Sequence, residues 1–273
     1  MPPVIVTAPA KLTVTLRVTG VRSDGYHLLD AEMVSVDLYD VLEITAFGAA
    51  DGDVASAVEV VDEVVGGLGL TAMVGGADNL VDRALAAVEQ RAGVRLRKRI
   101  PVGAGLGGGS SDAAAVLRWA GRRDLLFAAS LGADVPFCVV GGRARVGGIG
   151  EMVDALPFEE RMYLLVLPPL VVDTAAVYRA WDAGCRPLNG METSNDLEPA
   201  ALDVAPDLAH WRDALSVASG RVARLAGSGA TWFVEADEEL ARRVRAGELG
   251  DTLTVHGAHA PLHLVSCVGP HPR

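Results

Sequence analysis

The segment Pro101-Val-Gly-Ala-Gly-Leu-Gly-Gly-Gly-Ser-Ser-Asp112 has five glycines within seven residues and lies between a predicted strand and a predicted helix. Glycine has no Cβ, so its backbone N–H groups can approach a ligand closely. The following helix presents unpaired N–H groups and the positive end of its dipole, which together favour a bound anion. The segment therefore predicts a phosphate-binding loop, in which the hydroxyls of Ser110 and Ser111 contact phosphate oxygens or water on a metal.

Two familiar glycine motifs do not account for this loop. A P-loop requires a lysine after its glycines, and none follows here. Gly103, Gly105 and Gly108 match G-x-G-x-x-G, but a dinucleotide-binding fold also needs an acidic residue ending the next strand, about 20 residues on. Asp124 stands in a polar segment with no clear strand before it. A nicotinamide oxidoreductase is therefore the weakest of the alternatives.

Periodicity outside the loop predicts a mixed α+β chain in two lobes. Alternating apolar residues predict strands at Val4–Val18, Glu32–Thr45, Val94–Val102, Tyr163–Leu167 and Leu262–Val268. Helical spacing predicts helices at Asn79–Arg91, Ser110–Gly121, Thr174–Ala183, Leu208–Ser219 and Glu238–Ala246. We interpret Ala46–Gly76 as a hairpin with a long connection and expect a strand–turn–strand centred on Gly227. The expected domains are residues 1–150 and 151–273, divided near Gly150.

Composition restricts the partners and the compartment. Lys and Arg total 24 against 35 Asp and Glu, so the 273-residue chain has a net charge of −11 and is a poor candidate for non-specific nucleic-acid binding. Its three cysteines are far apart and never in a C-x-x-C pair, which argues against a disulfide framework and fits a reducing cytosol. No apolar run is long enough for a membrane span, and no signal peptide is evident. We expect a cytoplasmic protein.

A possible metal site near the carboxyl end is disfavoured. His256, His259 and His263 with Cys267 have spacings found among metal ligands. The region is largely strand-like, however, and on a strand these residues do not share one face. We interpret them as surface histidines and predict no structural metal.

Six short motifs occur in order along nearly the whole chain. They are Ala8-Pro-Ala-Lys11-Leu, Asp24-Gly-Tyr-His27, the glycine loop, Gly132-Ala-Asp134-Val-Pro136, Asn195-Asp-Leu-Glu-Pro199 and Gly227-Ser-Gly229. Together they resemble the GHMP kinase superfamily, and within it the family that phosphorylates 4-diphosphocytidyl-2-C-methyl-D-erythritol. The resemblance implies a ribosomal protein S5 domain 2-like N-terminal lobe, whose left-handed βαβ unit carries the glycine loop. It also implies a ferredoxin-like C-terminal lobe and an active site between the lobes.

The same resemblance implies an activity and its cofactors. ATP with Mg²⁺ would donate its terminal phosphoryl group to the 2-hydroxyl of the erythritol part of the substrate, in the non-mevalonate isoprenoid pathway. Asp134 would be the catalytic base, because phosphoryl transfer mainly requires a positioned nucleophile and neutralised charge. Lys11 would stabilise that carboxylate and the acceptor oxygen. Without the resemblance, Asp134 is an ordinary helix or turn cap and Lys11 a solvated strand residue.

The resemblance also suggests the ATP contacts. The implied set is Asn79, Lys98, Pro101, Val102, Gly103, Ala104, Gly105, Leu106, Gly107, Gly108, Gly109, Ser110 and Ser111. Asn79 opens a predicted helix, so it fits an N-cap as well. Lys98 shares the apolar face of its strand, where it would either reach the nucleotide or extend its ammonium to solvent at the edge of the lobe.

The implied substrate contacts come from both lobes. Tyr26 and His27 would recognise cytosine by stacking and hydrogen bonding. Tyr178 would add a second aromatic face, with Thr174 one helical turn earlier. A further set would close over the diphosphate, namely Gly227, Ser228 and Gly229. Thr13 would also contact the substrate, although the family usually has Asn there, and a hydroxyl replaces the paired donor and acceptor of an amide.

Two other interpretations remain open at this point. One is a kinase of the same fold with another acceptor, such as homoserine, mevalonate or a sugar, and Thr13 is its best support. The other is a nucleotide-binding module without catalysis, which the presence of both Lys11 and Asp134 disfavours. We expect a small-molecule substrate, no nucleic-acid or membrane partner, and a monomer or weak homodimer.

Overall fold

The computed structural model describes residues 2–48, 55–64, 79–187 and 194–271. The strands are β1 (Val4–Val21), β2 (His27–Ala46), β3 (Ala57–Asp62), β4 (Ala92–Lys98), β5 (Arg143–Gly148), β6 (Met152–Ala155), β7 (Met162–Val166), β8 (Arg224–Leu225), β9 (Trp232–Ala236), β10 (Thr252–Val255) and β11 (Ala258–Ser266). The helices are α1 (Leu80–Ala87), α2 (Gly108–Trp119), α3 (Leu125–Leu131), α4 (Val135–Val140), α5 (Thr174–Asp182), α6 (Glu198–Val204), α7 (Leu208–Ser219) and α8 (Glu238–Arg245). These elements confirm the predicted α+β class.

The first sheet has the order β3-β4-β2-β5-β6, with β1 paired antiparallel to β2. Strand β3 pairs with β4 in parallel, and α1 lies between them in the chain. The hairpin predicted within Ala46–Gly76 is therefore wrong for the part that the structure describes; the rest lies outside the described residues. The turn-like composition concealed that Val58 and Val60 pack on the core next to β4.

Strand β4 leads directly into the glycine loop. Its side chains alternate as predicted, with Leu96 and Lys98 buried and Arg95 exposed. After the loop, α2 turns its buried residues 113–117 towards the sheet and packs beside α1 and α4. The loop is thus held between a buried strand end and a buried helix start, which fixes both of its ends.

The second sheet has the order β10-β11-β7-β9-β8. Strands β8 and β9 are antiparallel, with Leu225 opposite Trp232, which confirms the predicted strand–turn–strand around Gly227. Strand β6 comes just after Gly150 but still pairs with β5 of the first sheet. The division of the chain near Gly150 stays a prediction.

Backbone hydrogen bonds and a shared hydrophobic cluster connect the parts of the chain that form the two sheets. Leu16 of β1 forms a parallel bridge with Asn195, and the N–H of Val268 donates to the carbonyl of Ser35 at 2.9 Å. One hydrophobic cluster contains Leu12 from the first sheet together with Phe233 from the second. The middle of β1, the loop that follows β4 and the turn between β8 and β9 meet at one cleft. In the described part of the chain, no helix is both long and apolar enough to cross a membrane.

Candidate active site

The glycine loop forms one wall of a cavity of about 340 Å³. Residues 100–110 line it together with Asn79, Leu80, Lys98 and Asp112. Gly107 is the N-cap of α2 with a φ of +66°, a left-handed conformation that favours glycine. The first N–H groups of a helix have no intrahelical acceptor, so α2 offers donors and a positive dipole end at this wall. The cavity has the shape and chemistry for a nucleotide with its phosphates at the loop.

The predicted polar residues of this cavity differ in their availability. Ser110 lines it, as expected. Ser111 is fully buried, and its hydroxyl donates to the carbonyl of Pro9 at 2.7 Å. The structure therefore does not bring the Ser111 side chain to the cavity, because this hydroxyl fixes α2 against β1. Asn79 lines the cavity and also accepts the N–H of Val81 at 2.9 Å, so it is an N-cap at the rim of the site.

Lys98 is neither a free cation nor extended to solvent. It is 3% exposed, and its ammonium pairs with Asp40 and with Asp112, the latter at 2.7 Å. Burial alone would lower the pKa of Lys98, but Asp112 and Asp40 outweigh it and raise that pKa. Burial raises the pKa of Asp112 to about 7, opposed by the charge of Lys98. Two carboxylates share one ammonium, so the proton that Asp112 retains near neutral pH relieves their repulsion.

We expect this proton to make folding stability depend on pH. The folded pKa of Asp112 lies above its unfolded value, so the folded state binds the extra proton between about pH 4 and pH 7. Stability should therefore fall as pH rises through that window. Asp112→Asn should flatten this part of the curve, which urea unfolding at a series of pH values would measure. A variant with the slope of the wild type would contradict the assignment.

Lys11 and Asp134 meet where β1 passes beneath α4. The ammonium of Lys11 lies 3.2 Å from Oδ2 of Asp134 and 3.2 Å from the hydroxyl of Thr13. Lys11 is 6% exposed, whereas the side chain of Asp134 is 31% exposed. Asp134 stands at the start of α4, but its carboxylate makes no capping hydrogen bond. The carboxylate is therefore available to a ligand, and a capping role does not explain it.

A second glycine segment, residues 227–229, lies over this pair. A Cβ on Gly227 would stand 3.9 Å from the ammonium of Lys11 and 3.7 Å from the hydroxyl of Thr13. The first loop touches the same segment, since a Cβ on Gly105 would meet the carbonyl oxygen of Gly229 at 2.4 Å. The hydroxyl of Ser228 is 2.8 Å from that of Thr174. Both glycine segments and the Lys11–Asp134 pair thus share one cleft.

An aromatic cluster of His27, Tyr178 and Trp181 lies close to Asp134. The ring of His27 is 4.5 Å from that of Tyr178 and 5.4 Å from that of Trp181, centroid to centroid. Burial and then the charge of Asp134 raise the pKa of Tyr178 to about 12, so these two residues are close enough to interact electrostatically. Tyr26 is 60% exposed and makes no ring contact among the described residues. The structure brings His27 and Tyr178 together and leaves Tyr26 at the rim.

Two residues that shape this cleft, Asn195 and Asp182, were not predicted from the sequence as site residues. Asn195 is buried, and its amide nitrogen donates to the carbonyls of Leu225 at 3.0 Å and Gly227 at 2.6 Å. It thereby holds the second glycine segment, and its motif was a signal that could have revealed this. Asp182 lies 2.9 Å from His27, and its signal was the four-residue spacing from Tyr178.

Comparisons with known proteins agree with this arrangement. Residues 79–142 match the family model described as GHMP kinases N terminal domain. A 4-diphosphocytidyl-2-C-methyl-D-erythritol kinase from Granulibacter bethesdensis is 40% identical over 86% of each chain, and one from Pelotomaculum thermopropionicum is 39% identical over 88% of this chain and 91% of that one. A crystal structure of 4-(cytidine 5'-diphospho)-2C-methyl-D-erythritol kinase has 31% identity and a TM-score of 0.70, covering 97% of this chain and all of the other.

These findings define the protein as a GHMP kinase, and they confirm the predicted two-lobed fold. A mevalonate kinase from L. major, at 13% identity and a TM-score of 0.61, shares the fold alone. More particularly, the chain belongs to the 4-diphosphocytidyl-2-C-methyl-D-erythritol kinase family.

Proposed function

We propose that this kinase transfers the terminal phosphoryl group of ATP to the 2-hydroxyl of 4-diphosphocytidyl-2-C-methyl-D-erythritol, in the non-mevalonate isoprenoid pathway. The observation that carries the proposal is the 3.2 Å contact between Lys11 and Asp134 in the cleft where two glycine segments meet. Family membership supports the choice of substrate. The aromatic cluster of His27, Tyr178 and Trp181 supports a base in the bound molecule.

Each reacting group has a residue suited to it. ATP, when bound, supplies the phosphoryl group that is transferred. The N–H groups at the start of α2 face the cavity and stabilise charge on its phosphates. Asp134 orients the acceptor hydroxyl and accepts its proton, since its carboxylate is partly exposed and free of capping bonds. Lys11 places a cation beside the developing alkoxide, and the hydroxyl of Thr13 fixes the position of that cation.

The residues fit a Mg²⁺ ion that enters with the nucleotide. The described residues form no cluster of three or more His, Cys, Asp or Glu side chains suited to a metal ion. Mg²⁺ is commonly held by one or two carboxylates together with substrate phosphates. The hydroxyl of Ser110, which lines the cavity, is the group that would contribute here, because Asp112 is engaged with Lys98 and Asp134 with Lys11. The ion would neutralise charge between the phosphates.

The cytidine end of the substrate would lie against His27 and Tyr178. Their rings are tilted by 32° and come from different lobes, so a base held there would bridge the lobes. Tyr26, at the exposed rim, would cover the base from the other side. Ser228 and Thr174 would hold the diphosphate through their hydroxyls, close to the Lys11 end of the cleft.

We further propose a cytoplasmic enzyme that acts as a monomer or weak homodimer without a nucleic-acid partner. The net charge of −11 disfavours a polyanion as a ligand. The free thiols of Cys138, Cys185 and Cys267 fit a reducing compartment. The proposed lobes are residues 1–150 and 151–273.

The test is a coupled measurement with ATP, Mg²⁺ and 4-diphosphocytidyl-2-C-methyl-D-erythritol. We expect ADP release that requires this acceptor, together with a product heavier by one phosphoryl group in the mass spectrum. Homoserine, mevalonate and free sugars serve as comparison acceptors. Nucleotide binding with turnover of one of these instead would overturn the substrate assignment, and nucleotide binding without any turnover would overturn the catalytic one.

A further inference from the structure

One face of α5 surrounds the imidazole of His27. Nε2 of His27 lies 2.9 Å from Oδ1 of Asp182, while the rings of Tyr178 and Trp181 pack against the imidazole. These three residues of α5 are spaced i, i+3 and i+4, so they project from the same side of the helix. The His27 side chain is only 9% exposed. The ring is therefore enclosed by a helix of the other lobe, and Asp182 is its hydrogen-bond partner.

This contact determines which nitrogen of the neutral ring carries the proton. An ionised carboxylate only accepts hydrogen bonds, whereas a neutral imidazole has one donor nitrogen and one acceptor nitrogen. Nε2 must therefore donate to Asp182, and Nδ1 is left as an acceptor. In the part of the chain that the structure describes, Nδ1 of His27 has no hydrogen-bond partner. It remains available to a ligand.

We propose that Asp182 is a positioning residue that sets the base specificity of the substrate site by fixing the tautomer of His27. This inference rests on the proposed function. Cytosine carries an amino group at its 4-position, which donates a hydrogen bond to an unprotonated Nδ1. Uracil carries a carbonyl oxygen there, so two lone pairs would face each other. A site built around a fixed acceptor rejects the ligand that lacks the matching donor.

The test compares CDP and UDP as competitive inhibitors against the cytidine substrate, at saturating ATP so that neither occupies the nucleotide cavity. We expect the wild type to prefer CDP by about 10-fold or more, the ratio expected for one mismatched hydrogen bond in an enclosed site. Asp182→Asn keeps the size of the side chain, but its amide can donate or accept, so the tautomer is no longer fixed. The preference should fall to a few-fold, while KM for ATP is unchanged.

A spectroscopic readout separates this role from simple packing. Nitrogen-15 NMR of histidine-labelled protein without a bound nucleotide should show the Nε2–H form of His27 in the wild type and a mixture of forms in Asp182→Asn. Arg179→Gln is the matched control, because Arg179 lies on the same helix with a side chain that is 70% exposed and pairs with Asp173. This control should keep both the CDP preference and the tautomer.

The outcomes distinguish a failure of the inference about Asp182 from a failure of the proposed function. The inference alone would be overturned if Asp182→Asn preferred CDP over UDP as strongly as the wild type does and kept the Nε2–H form of His27. A proton on Nδ1 in the wild type without a bound nucleotide would also overturn it. A wild type that acts on the cytidine substrate but binds CDP and UDP equally would also overturn the inference alone. A wild type that does not act on the cytidine substrate would overturn the proposed function and this inference with it.

Discussion

Asp134→Asn should lower kcat by about 10²–10⁴-fold, the range that a positioned general base contributes. The substitution keeps the shape of the side chain but removes both the charge next to Lys11 and the capacity to take a proton at neutral pH. Asp134 does not line the nucleotide cavity, so the affinity for ATP should stay within a few-fold. Steady-state kinetics and titration with a fluorescent ATP analogue would measure the two quantities separately.

A double variant tests whether Asp134 and Lys11 act as one unit. Residues that cooperate in one step show strongly non-additive effects, so Lys11→Met combined with Asp134→Asn should lose little more than the worse single variant. Asp154→Asn is the matched control, since it removes an exposed carboxylate from β6, and it should leave kcat unchanged. An Asp134→Asn enzyme within a few-fold of the wild-type kcat would remove this residue from the catalytic role.

The local sequence predicts the parts of the site that depend on backbone conformation. The strand before the glycine loop and the helix after it follow from periodicity, and the alternation of Arg95, Leu96 and Lys98 follows from strand geometry. Where Lys98 directs its ammonium does not follow. Its two partners are Asp40, from a strand 58 residues earlier, and Asp112, from the next helix. The pairing of β2 with β4 brings Asp40 to Lys98, and the start of α2 after the glycine loop brings Asp112 to the same ammonium.

Long-range pairing also explains what the sequence could not predict. Ser111 is a reasonable phosphate ligand by its position after the glycines, yet the carbonyl of Pro9, 102 residues earlier, accepts a hydrogen bond from its hydroxyl. Asp182 is separated from His27 by 155 residues, and the four-residue spacing from Tyr178 places it on the right helix face without showing that it meets His27. Motifs give residue types and order along the chain. The distribution of hydrogen bonds among them depends on which distant segments of the chain the fold brings together.

A substitution at Gly105, where the two glycine segments touch, should strongly affect both stability and activity. Gly105 has a φ of +78°, and a Cβ there would lie 2.4 Å from the carbonyl oxygen of Gly229 and 3.0 Å from that of Ala226. Both are backbone atoms, so neither can rotate away. Gly105→Ala should lower the free energy of unfolding by about 2–5 kcal/mol, from backbone strain and overpacking together. Because relief requires the segments to separate, kcat/KM should fall by about 100-fold as well.

Gly121→Ala separates the two causes of that loss. Gly121 follows α2 with a φ of +72°, nearly that of Gly105, but a Cβ there would have no neighbour within 4 Å. Gly121→Ala should lower the free energy of unfolding through backbone strain alone, by about 1–2 kcal/mol, and leave kcat/KM unchanged. Urea unfolding and steady-state kinetics on both variants give the comparison. Equal losses of stability, or full activity in Gly105→Ala, would mean that the segments need not stay in contact during turnover. A loss of activity confined to Gly105→Ala would instead make their contact part of the working site, because the strain common to both variants cannot produce it.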